Sequence, residues 1–269
     1  MAERDIARQA MAALEDGRQI PPFSGSLPGF DLAAAYRVSA AQRRLRTTRG
    51  EAVLGRKMGF TNRKIWPEYG IGAPFWGDLF DTTCRDIDPS GAEFELARLC
   101  EPKIEPEIAF GLARAPEPGM DEAALMGCVG WVAHGIEMVQ SLFPGWKFKA
   151  PDAVAGLAMH GAYLMGPRVP VAAGTGADWM RRLGDFHITL SCDATPADRG
   201  HSSDVLDGPL TALRHLVGLL DANPDHPQLA AGEFVTTGTV TRALDVAPGQ
   251  TWTTRVEGLD LPGLSVALR

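Results

Sequence analysis

Three glutamates are the residues of this chain whose type and spacing could do chemistry. Glu105 and Glu107 stand on either side of a proline at the start of an apolar segment, and Glu137 lies inside a second apolar segment. Residues two apart on a β-strand share a face, so Glu105 and Glu107 are predicted to point the same way. Glu137 needs a partner, because burying an unpaired charge is costly. A hard divalent cation such as Mg²⁺ or Mn²⁺ could be that partner, since it takes oxygen ligands and leaves positions for substrate.

A simpler interpretation needs no metal. Glu105 and Glu107 would form the solvated face of an edge strand, and Glu137 would pair with a nearby lysine. Charged residues are mostly exposed, so an isolated E-x-E pattern favours this interpretation. The third glutamate, placed in an apolar strand, favours the metal. Residue types alone leave both interpretations open.

The composition is typical of a soluble globular protein. The chain has 269 residues, of which 45% are hydrophobic and 22% charged, and its net charge is −7. This acidic balance argues against a nucleic-acid partner held through phosphate contacts. No apolar stretch reaches membrane-spanning length, and the charged first residues are unlike a signal peptide. We therefore expect a cytoplasmic protein with neither nucleic acid nor a membrane as partner.

The cysteine pattern narrows the choice of cofactor. The chain has four cysteines, Cys84, Cys100, Cys128 and Cys192, and none of them forms a C-x-x-C pair. In a chain of this length they are expected to be free thiols rather than ligands of a structural zinc. Glycine-rich phosphate-binding motifs are also missing, so a nucleotide cofactor is not expected.

The first fifty residues are predicted to be helical. A helix is expected over residues 5–17, with Asp5 as its N-cap and Gly17 at its end, and a second helix begins at Asp31. We interpret residues 1–50 as a small helical N-terminal region that supports a catalytic domain.

Residues 51–269 are predicted to form a metal-binding β-roll or barrel domain, which makes the protein an α+β protein. Short β-like runs separated by glycine and proline favour this fold, with helices at 121–126 and after Pro209 interrupting them. The predicted strands cover residues 53–55, 107–113, 129–139, 162–165, 186–192, 233–241, 251–256 and 264–268.

Five sequence blocks, taken in chain order, carry a resemblance to a known family. They are GRKMGFT at 55–61, IEPEIAF at 104–110, IEMV at 136–139, WKFK and DAVA within 146–155, and GEFVTTGT at 232–239. The blocks resemble the motifs G-x-K-x-G-x-T, V-E-P-E-I-A-F, A-I-E-I-V, W-K-I-K with D-x-V-A, and G-x-V-V-L-T-G-T. These motifs belong to the 2-keto-4-pentenoate hydratases and 2-oxo-3-hexenedioate (4-oxalocrotonate) decarboxylases, within the fumarylacetoacetate hydrolase superfamily. Each block alone is weak, but five in this order are specific and span nearly the whole chain.

The resemblance implies a fold, a metal and a substrate class. The fold is the mixed β-roll core of the fumarylacetoacetate hydrolase type, and Mg²⁺ or Mn²⁺ is held by Glu105, Glu107 and Glu137. The substrate is a 2-oxo or 2-hydroxy-enoic acid, whose carboxylate and 2-oxo oxygen can chelate a metal. Hydratases of this kind ketonise a 2-hydroxy-2,4-dienoate and add water to the enone, whereas decarboxylases use the same enolate to accept electrons from departing CO₂. A homo-oligomer is expected.

The resemblance also assigns residues around the metal. Lys57 matches the family's lysine and is expected to move a proton; otherwise it is a surface lysine beside Arg56 and Lys64. Asp78 and Leu79 follow the block where the family folds a loop over the site, and they are expected to contact substrate. An aspartate is not uniform at that position in the family.

Two further positions match, and one departs. Lys149 and Thr239 match motif positions suited to contacting the substrate carboxylate or enol oxygen. Where the family has D-N-A-S-S, this chain has GLAMHG at 156–161, so His160 stands in place of a site serine. His160 is a candidate general acid or base, because imidazole titrates near neutrality; its alternative is a structural hydrogen bond. Gln140 also replaces an aspartate that commonly follows the third glutamate.

Several functions remain open at this point. A hydratase is favoured, with a decarboxylase of a 2-oxo-3-enedioate as the alternative. A C–C hydrolase is disfavoured, because the segment before Glu105 lacks the histidine that such enzymes carry there. A non-catalytic subunit that binds a small acid is the interpretation from another class. The substituted pocket could also accept a bulkier substrate, with apolar walls from Trp66, Trp76, Trp131 and Trp146.

Overall fold

The computed structural model describes residues 2–69 and 71–269, apart from the side chains of Glu68 and Tyr69. The helices in these residues are α1 Glu3–Glu15, α2 Phe23–Ser26, α3 Leu32–Thr48, α4 Trp66–Tyr69, α5 Glu122–Met126, α6 Ala150–Ala155, α7 Gly176–Gly184 and α8 Pro209–Asp221. The strands are β1 Val53–Gly59, β2 Phe75–Phe80, β3 Cys84–Asp86, β4 Ala92–Phe94, β5 Lys103–Leu112, β6 Val129–Val139, β7 His160–Met165, β8 Val169–Pro170, β9 His187–Cys192, β10 Thr195–His201, β11 Phe234–Thr239, β12 Leu244–Asp245, β13 Thr251–Glu257 and β14 Ser265–Leu268.

The described strands form two sheets. The larger sheet has the order β2-β1-β11-β5-β6-β7-β3, with β12 paired to β5 and β8 to β6. The smaller has the order β10-β9-β13-β14-β4. The larger sheet is mixed, since β1 runs parallel to β11 whereas β5 runs antiparallel to β6. The α+β fold with a mixed β core, predicted from the sequence, is confirmed.

Strands β5 and β6 lie at the centre of the larger sheet and carry the three glutamates. Glu105 lies directly opposite Glu137, and Glu107 lies opposite Gly135. Because side chains alternate along a strand, Glu105, Glu107 and Glu137 all project from one face. Their neighbours in sequence, such as Ile136, are buried in the apolar core on the other face.

The N-terminal helices share the apolar core of the larger sheet. Ile6 of α1 and Val38 of α3 are buried in the same cluster as Met58 of β1. Tyr36 of α3 stacks on Trp76 of β2, with ring centroids 4.9 Å apart. The core is therefore continuous across residue 50, and the division of the chain into two regions there stays a prediction.

The predicted start of α3 at Asp31 agrees with the structure, whereas the predicted start of α1 at Asp5 does not. Asp31 caps α3 by accepting a hydrogen bond from a backbone N–H in the first turn. The prediction for Asp5 is wrong, because α1 begins at Glu3 after Ala2 and Asp5 lies inside its first turn. An acidic residue inside the first turn still suits the helix dipole. None of the described helices is both long and apolar enough to cross a membrane.

The sequence did not predict strand β2. All six of its residues, Phe75–Phe80, are buried, so the strand lacks the alternation of apolar and polar residues that marks a half-exposed strand. Its polar member, Asp78, is buried in ion pairs with Arg43 and Arg56. A strand covered on both faces is usually marked by a continuous apolar run, and here Gly77 and Asp78 interrupt that run.

His226 connects the C-terminal half of the chain to the N-terminal helices. Its ring is 4% exposed and meets Trp76 edge-on, with centroids 4.5 Å apart. Nε2 donates a hydrogen bond to the carbonyl oxygen of Tyr36 at 3.0 Å, whereas Nδ1 is buried without a partner. Burial lowers the pKa of His226, because the imidazolium form would lose its solvation.

We expect the stability of the protein to fall as pH drops below about 6.5, partly through His226. A histidine whose pKa is lowered by folding binds protons better in the unfolded chain, so its stabilisation is present above the unfolded pKa and declines below it. The measurement is Tm at pH 7.5 and 5.5 for the wild type and for His226→Gln. The drop should be smaller in the variant; equal drops would contradict the assignment.

Candidate active site

The three glutamates of β5 and β6 converge on one point. One carboxylate oxygen from each of Glu105, Glu107 and Glu137 lies within 4.8 Å of the others. The carboxylates of Glu107 and Glu137 have no exposed surface, and Glu105 is partly buried. The cross-strand register produces this convergence, since residues facing each other across antiparallel strands hold their Cβ atoms about 5 Å apart. Strand β5 lies inside the sheet, between β11 and β6, and is not an edge strand. This position rules out the interpretation of Glu105 and Glu107 as the solvated face of an edge strand.

Lys57 brings a positive charge to this carboxylate cluster. Its Nζ lies 2.9 Å from Glu137 Oε2, and the side chain is 2% exposed. Strand β1 positions it, with β11 as the one strand that separates β1 from β5 in the sheet. The alternative of a surface lysine is thus excluded by its position. The single ammonium leaves the charge of three carboxylates only partly compensated.

The excess negative charge appears in the pKa values of the cluster. Burial and the neighbouring Glu137 raise the pKa of Glu105 to about 7, against the opposing effect of Lys57. Burial and Glu137 raise the pKa of Glu107 well above its usual range. Burial would also raise the pKa of Glu137, but the Lys57 ammonium and a hydrogen bond from His160 outweigh it and lower the pKa. Glu137 is therefore the carboxylate most firmly held in its charged form.

The donor set of the cluster fits a hard divalent cation. Glu107 Oε1 is buried and has no hydrogen-bond partner, although its other oxygen accepts a hydrogen bond from the backbone N–H of Gly238 at 3.2 Å. An unpaired buried carboxylate oxygen is costly unless a ligand satisfies it. The three carboxylates, with Glu107 Oε1 left without a hydrogen bond, suit Mg²⁺ or Mn²⁺, because both ions prefer oxygen ligands.

Gly238 is required where β11 passes the cluster. Its φ is +95°, and a Cβ at this position would lie 1.9 Å from the hydroxyl oxygen of Thr61. Thr61 and Gly238 both line a cavity that Glu105 also lines. The bare backbone thus lets the Gly238 N–H reach Glu107.

We expect Gly238→Ala to destabilise the protein by about 1–3 kcal/mol and to weaken metal binding, because the new methyl group must displace Thr61 and tilt the N–H away from Glu107. Gly232→Ala is the matched control, since Gly232 has φ +89° but open space around its Cβ. The measurements are urea unfolding and Mg²⁺ titration of both variants. Equal behaviour of the two variants would show that the contact with Thr61 does not matter.

A narrow cavity of about 50 Å³ opens beside Glu105. Its described lining is mostly apolar side chains, hydroxyls and backbone, and comprises Met58, Gly59, Phe60, Thr61, Asn62, Ile65, Lys103, Glu105, Trp146, Gly238, Thr239 and Ala243. Ligand sites usually measure about 300 Å³ or more, so the outer wall must move when a ligand is admitted. Of the three glutamates, Glu105 lines this cavity, so the cavity meets the carboxylate cluster at Glu105.

Thr239 lies in this cavity, as its predicted role requires. It pairs with Glu107 across β11 and β5, and its hydroxyl donates to the carbonyl oxygen of Thr241 at 3.0 Å. Of the four tryptophans considered as apolar walls, the structure places Trp146 in the lining and holds Trp66 just behind it, through a hydrogen bond to the Phe60 carbonyl oxygen.

The other two tryptophans lie elsewhere. Trp76 stacks against α3, and Trp131 packs against Phe234 and under the guanidinium of Arg168. Neither belongs to the lining of the cavity beside Glu105. Trp76 and Trp131 therefore do not supply walls to this cavity, since the sheet directs them to different packing layers.

His160 contacts Glu137 of the cluster but does not line the cavity beside Glu105. Its Nδ1 is 2.7 Å from Glu137 Oε1, and its Nε2 is 2.9 Å from the hydroxyl of Thr83. With Thr83 it lines a separate cavity of about 460 Å³ on that side of the sheet. Burial lowers the pKa of His160, which favours the neutral ring. This arrangement suits a residue that orients Glu137 better than one that meets substrate.

The structure does not bring Asp78 to the cluster. Asp78 Oδ1 accepts a hydrogen bond from Arg43 Nη1 at 2.7 Å, and it forms an ion pair with the fully buried Arg56, whose Nε lies 2.9 Å away. In the register of β1 and β2, Asp78 faces Arg56 while Gly77 faces Lys57. Because alternate residues point to opposite faces, Asp78 projects away from the face that carries Lys57. Its carboxylate serves as the partner of two arginines.

Leu79 and Lys149 have different surroundings. Leu79 lies on the face that carries Lys57 but is completely buried in an apolar cluster with Ala109 and Tyr163. Lys149 is exposed just before α6, in the segment that also carries Trp146. Neither side chain lines the cavity beside Glu105.

Two residues of the site were not singled out from the sequence. Lys103 lines the cavity two residues before Glu105 on β5, and the backbone N–H of Gly238 bonds to Glu107. The i, i+2 spacing from Glu105 could have indicated Lys103, because it places both side chains on one face. The Gly238 contact could not be predicted in this way, because every residue except proline carries a backbone N–H and residue type does not show where it donates.

The chain is similar in sequence and in structure to known proteins. No family model matches the chain. The chain is 30% identical to a 4-oxalocrotonate decarboxylase from Pseudomonas sp. (strain CF600), over 91% of this chain and 89% of the relative. It is also 30% identical to a 2-keto-4-pentenoate hydratase from Burkholderia vietnamiensis, over 94% and 93% of the two chains. The chain belongs to the hydratase–decarboxylase family that these two proteins represent.

Solved structures share the fold of this chain. A 4-oxalocrotonate decarboxylase from Pseudomonas putida G7, in complex with magnesium and adipate, superposes with a TM-score of 0.89 and 24% identity over 99% of this chain and 97% of that one. A fumarylpyruvate hydrolase from Pseudomonas aeruginosa, in complex with Mn²⁺ and pyruvate, gives a TM-score of 0.58 at 15% identity, over 79% and 88% of the two chains. The predicted fumarylacetoacetate hydrolase fold and the resemblance to the hydratase–decarboxylase family are confirmed.

Proposed function

We propose that this member of the hydratase–decarboxylase family is a divalent-metal-dependent lyase that adds water to a 2-hydroxy-2,4-dienoate or the corresponding 2-oxo-enoate. The observation that carries the proposal is the convergence of three carboxylates, within 4.8 Å, beside a buried lysine and below a cavity. The curated relatives are named as hydratases and decarboxylases, which supports a lyase. A cytoplasmic homo-oligomer remains a prediction from the sequence.

We assign the metal, Mg²⁺ or Mn²⁺, to Glu105, Glu107 and Glu137. When bound, it would supply a Lewis acid that polarises the 2-oxo group and stabilises the negative charge developing on its oxygen. Two structural relatives were solved in complex with magnesium and with Mn²⁺, which supports this choice. The free oxygen of Glu107 and its raised pKa support it from this chain itself, because both signal an unbalanced negative charge.

Lys57 is the residue we assign to proton transfer. The three carboxylates outweigh burial and raise the pKa of Lys57, so its Nζ carries a proton at neutral pH. From its position beside Glu137 it can donate that proton to a substrate carbon or oxygen near the cluster and later recover it. His160 holds the other oxygen of Glu137 and fixes its orientation.

The cavity residues have a binding role in this proposal. Thr239 lies beside Glu107 in register, and its hydroxyl can donate a hydrogen bond to an oxygen of the acid when it releases the carbonyl oxygen of Thr241. Phe60 and Trp146 supply apolar walls for the unsaturated carbon chain. These walls limit the number of water molecules near the cluster, which favours charge interactions there.

The function is tested with 2-hydroxypenta-2,4-dienoate and 2-oxo-3-hexenedioate, each offered with Mg²⁺, with Mn²⁺ and with a chelator. We expect metal-dependent loss of the dienoate, and a Tm increase of about 5–10 °C at saturating metal. Release of CO₂ from the diacid without hydration of the dienoate would establish the decarboxylase instead. Absence of both turnover and metal stabilisation would favour a non-catalytic subunit that binds a small acid.

A further inference from the structure

Tyr163 carries a buried hydroxyl group that the proposed reaction does not use. It lies on β7 directly opposite Glu137 of β6, so the two side chains project from the same face of the larger sheet. The residue is completely buried, and its hydroxyl oxygen has no hydrogen-bond partner among the described residues. A buried hydroxyl without a partner is costly, and its presence therefore needs a physical reason.

The missing side chain of Gly135 lets Tyr163 reach across strand β6. A Cβ on Gly135 would lie 2.2 Å from the Tyr163 hydroxyl oxygen, so this oxygen occupies the space over Gly135. The centroid of the Tyr163 ring also lies 6.1 Å from that of Phe234 on β11, although β6 and β5 separate β7 from β11 in the sheet order. The side chain therefore lies across β6 and points toward β5.

Glu107 is the carboxylate that Tyr163 approaches from this side. Glu107 lies directly opposite Gly135 in the pairing of β5 and β6. Residues paired in this way hold their Cβ atoms about 5 Å apart, and the Tyr163 hydroxyl lies close to where the Gly135 Cβ would be. Glu107 Oε1 is also buried and has no hydrogen-bond partner among the described residues. A donor and an acceptor that both lack a hydrogen bond thus lie at neighbouring positions.

The charge of the carboxylate cluster reaches the Tyr163 hydroxyl. Burial, together with the negative charges of Glu107 and Glu137, raises the pKa of Tyr163 well above its usual range. The hydroxyl therefore keeps its proton and can donate it to a carboxylate oxygen in a hydrogen bond. The simplest interpretation is that Tyr163 is a packing residue, since it also belongs to the apolar cluster of Leu79 and Ala109. A packing role requires the ring but not the hydroxyl.

We propose that Tyr163 is a positioning residue, whose hydroxyl donates a hydrogen bond to Glu107 Oε1 when that oxygen binds the metal. Each carboxylate oxygen has two lone pairs, so Oε1 can bind a metal ion and accept this hydrogen bond, while Oε2 accepts from Gly238. Hydrogen bonds of this kind orient carboxylate ligands, and their loss costs about 10–100-fold in metal affinity. The inference rests on the proposed function, because it assumes that Glu105, Glu107 and Glu137 hold the metal.

Tyr163→Phe removes the hydroxyl and keeps the ring. We expect its affinity for Mg²⁺ and for Mn²⁺, measured by calorimetry, to fall about tenfold or more. Its Tm in the presence of a chelator should equal or exceed that of the wild type, because a buried hydroxyl without a partner has been removed. A packing role alone would leave the metal affinity nearly unchanged, and that result would overturn the proposal.

Two variants serve as controls. Tyr36 is a second buried tyrosine, outside the cluster, and its hydroxyl accepts a hydrogen bond from the backbone N–H of Trp76 at 3.2 Å. Tyr36→Phe should lower Tm and leave the metal affinity unchanged. Thr236 on β11 is the competing donor, because its buried hydroxyl also lies near Glu107 and makes no other hydrogen bond within the described residues. If Thr236→Val lowers the metal affinity and Tyr163→Phe does not, the proposal is wrong.

A spectroscopic measurement on the wild type tests the hydrogen bond directly. The chain has three tyrosines, and labelling the ring carbon that bears the hydroxyl with ¹³C gives each of them an NMR signal. The signal absent from Tyr163→Phe identifies Tyr163, and we expect it to shift on addition of Mg²⁺ while that of Tyr36 stays in place. An unmoved Tyr163 signal in the metal-loaded wild type would contradict the proposal. If Mg²⁺ does not bind the wild type at all, the proposed metal site fails, and this inference fails with it.

Discussion

Replacing Glu107 with glutamine is expected to reduce metal-dependent turnover by about a thousandfold or more, because Lewis-acid stabilisation contributes several kcal/mol to such reactions. The substitution keeps the shape of the side chain and an oxygen that can accept from Gly238. It removes a charge from the centre of the carboxylate cluster. The measurements are kcat/KM for the dienoate and Mg²⁺ affinity by calorimetry, and both should fall together.

The same substitution, Glu107→Gln, should increase the stability of the metal-free protein. The pKa of Glu107 is raised by folding, so the ionised carboxyl destabilises the native state above its ordinary pKa of 4.5. Glu107→Gln should therefore raise Tm in the presence of a chelator, more at pH 8 than at pH 5, and should abolish the response to metal.

Glu233→Gln is the control for this prediction. Glu233 is a partly buried carboxylate that interacts with Arg56, outside the carboxylate cluster. Its substitution should leave the response to metal intact and change turnover by no more than a few fold. Retained metal stabilisation in Glu107→Gln would refute the assignment of Glu107 as a ligand.

Replacing Lys57 with methionine should separate the stability of the site from its catalysis. The change leaves three buried carboxylates without their ammonium, and breaking a buried ion pair costs about 3–5 kcal/mol. Unfolding in urea with a chelator should show this loss, and Mg²⁺ should recover much of it by replacing the missing positive charge. Turnover with saturating metal should still fall by about a hundredfold or more, since the proton donor is absent.

Two variants complete the test of Lys57. Lys57→Arg keeps the charge but cannot release a proton near neutral pH, so it should restore part of the stability without the activity. Lys64→Met removes an exposed lysine whose side chain is 77% accessible, and it should leave stability nearly unchanged. Turnover of Lys57→Met within a few fold of the wild type would exclude Lys57 from proton transfer.

The structure separates the predicted site residues into three groups. Glu105, Glu107, Glu137 and Lys57 converge, and Thr239 lines the cavity beside them. His160 reaches the cluster from behind. The rest, comprising Asp78, Leu79 and Lys149, lie in an arginine network, in an apolar cluster and on the surface.

These outcomes follow from the kind of signal each residue had. Two carboxylates at i, i+2 share a face in any strand, so their proximity is a local property. Asp78 was expected at the site because of its place in sequence after a matched block. Its actual partners, Arg43 of α3 and Arg56 of β1, are brought to it by helix packing and strand register.

The sequence by itself determined the α+β class, most of the strands, the family and the glutamates with Lys57. These features depend on the alternation of apolar and polar residues along strands and on the order of short motifs in the chain. Both can be observed in the sequence without knowing the tertiary contacts. Only the tertiary structure decided that Glu105 faces Glu137, that His160 stands behind Glu137, and that Lys103 enters the cavity. Register and facing are set by pairing between distant strands, and a shift of one residue would turn each side chain to the opposite face.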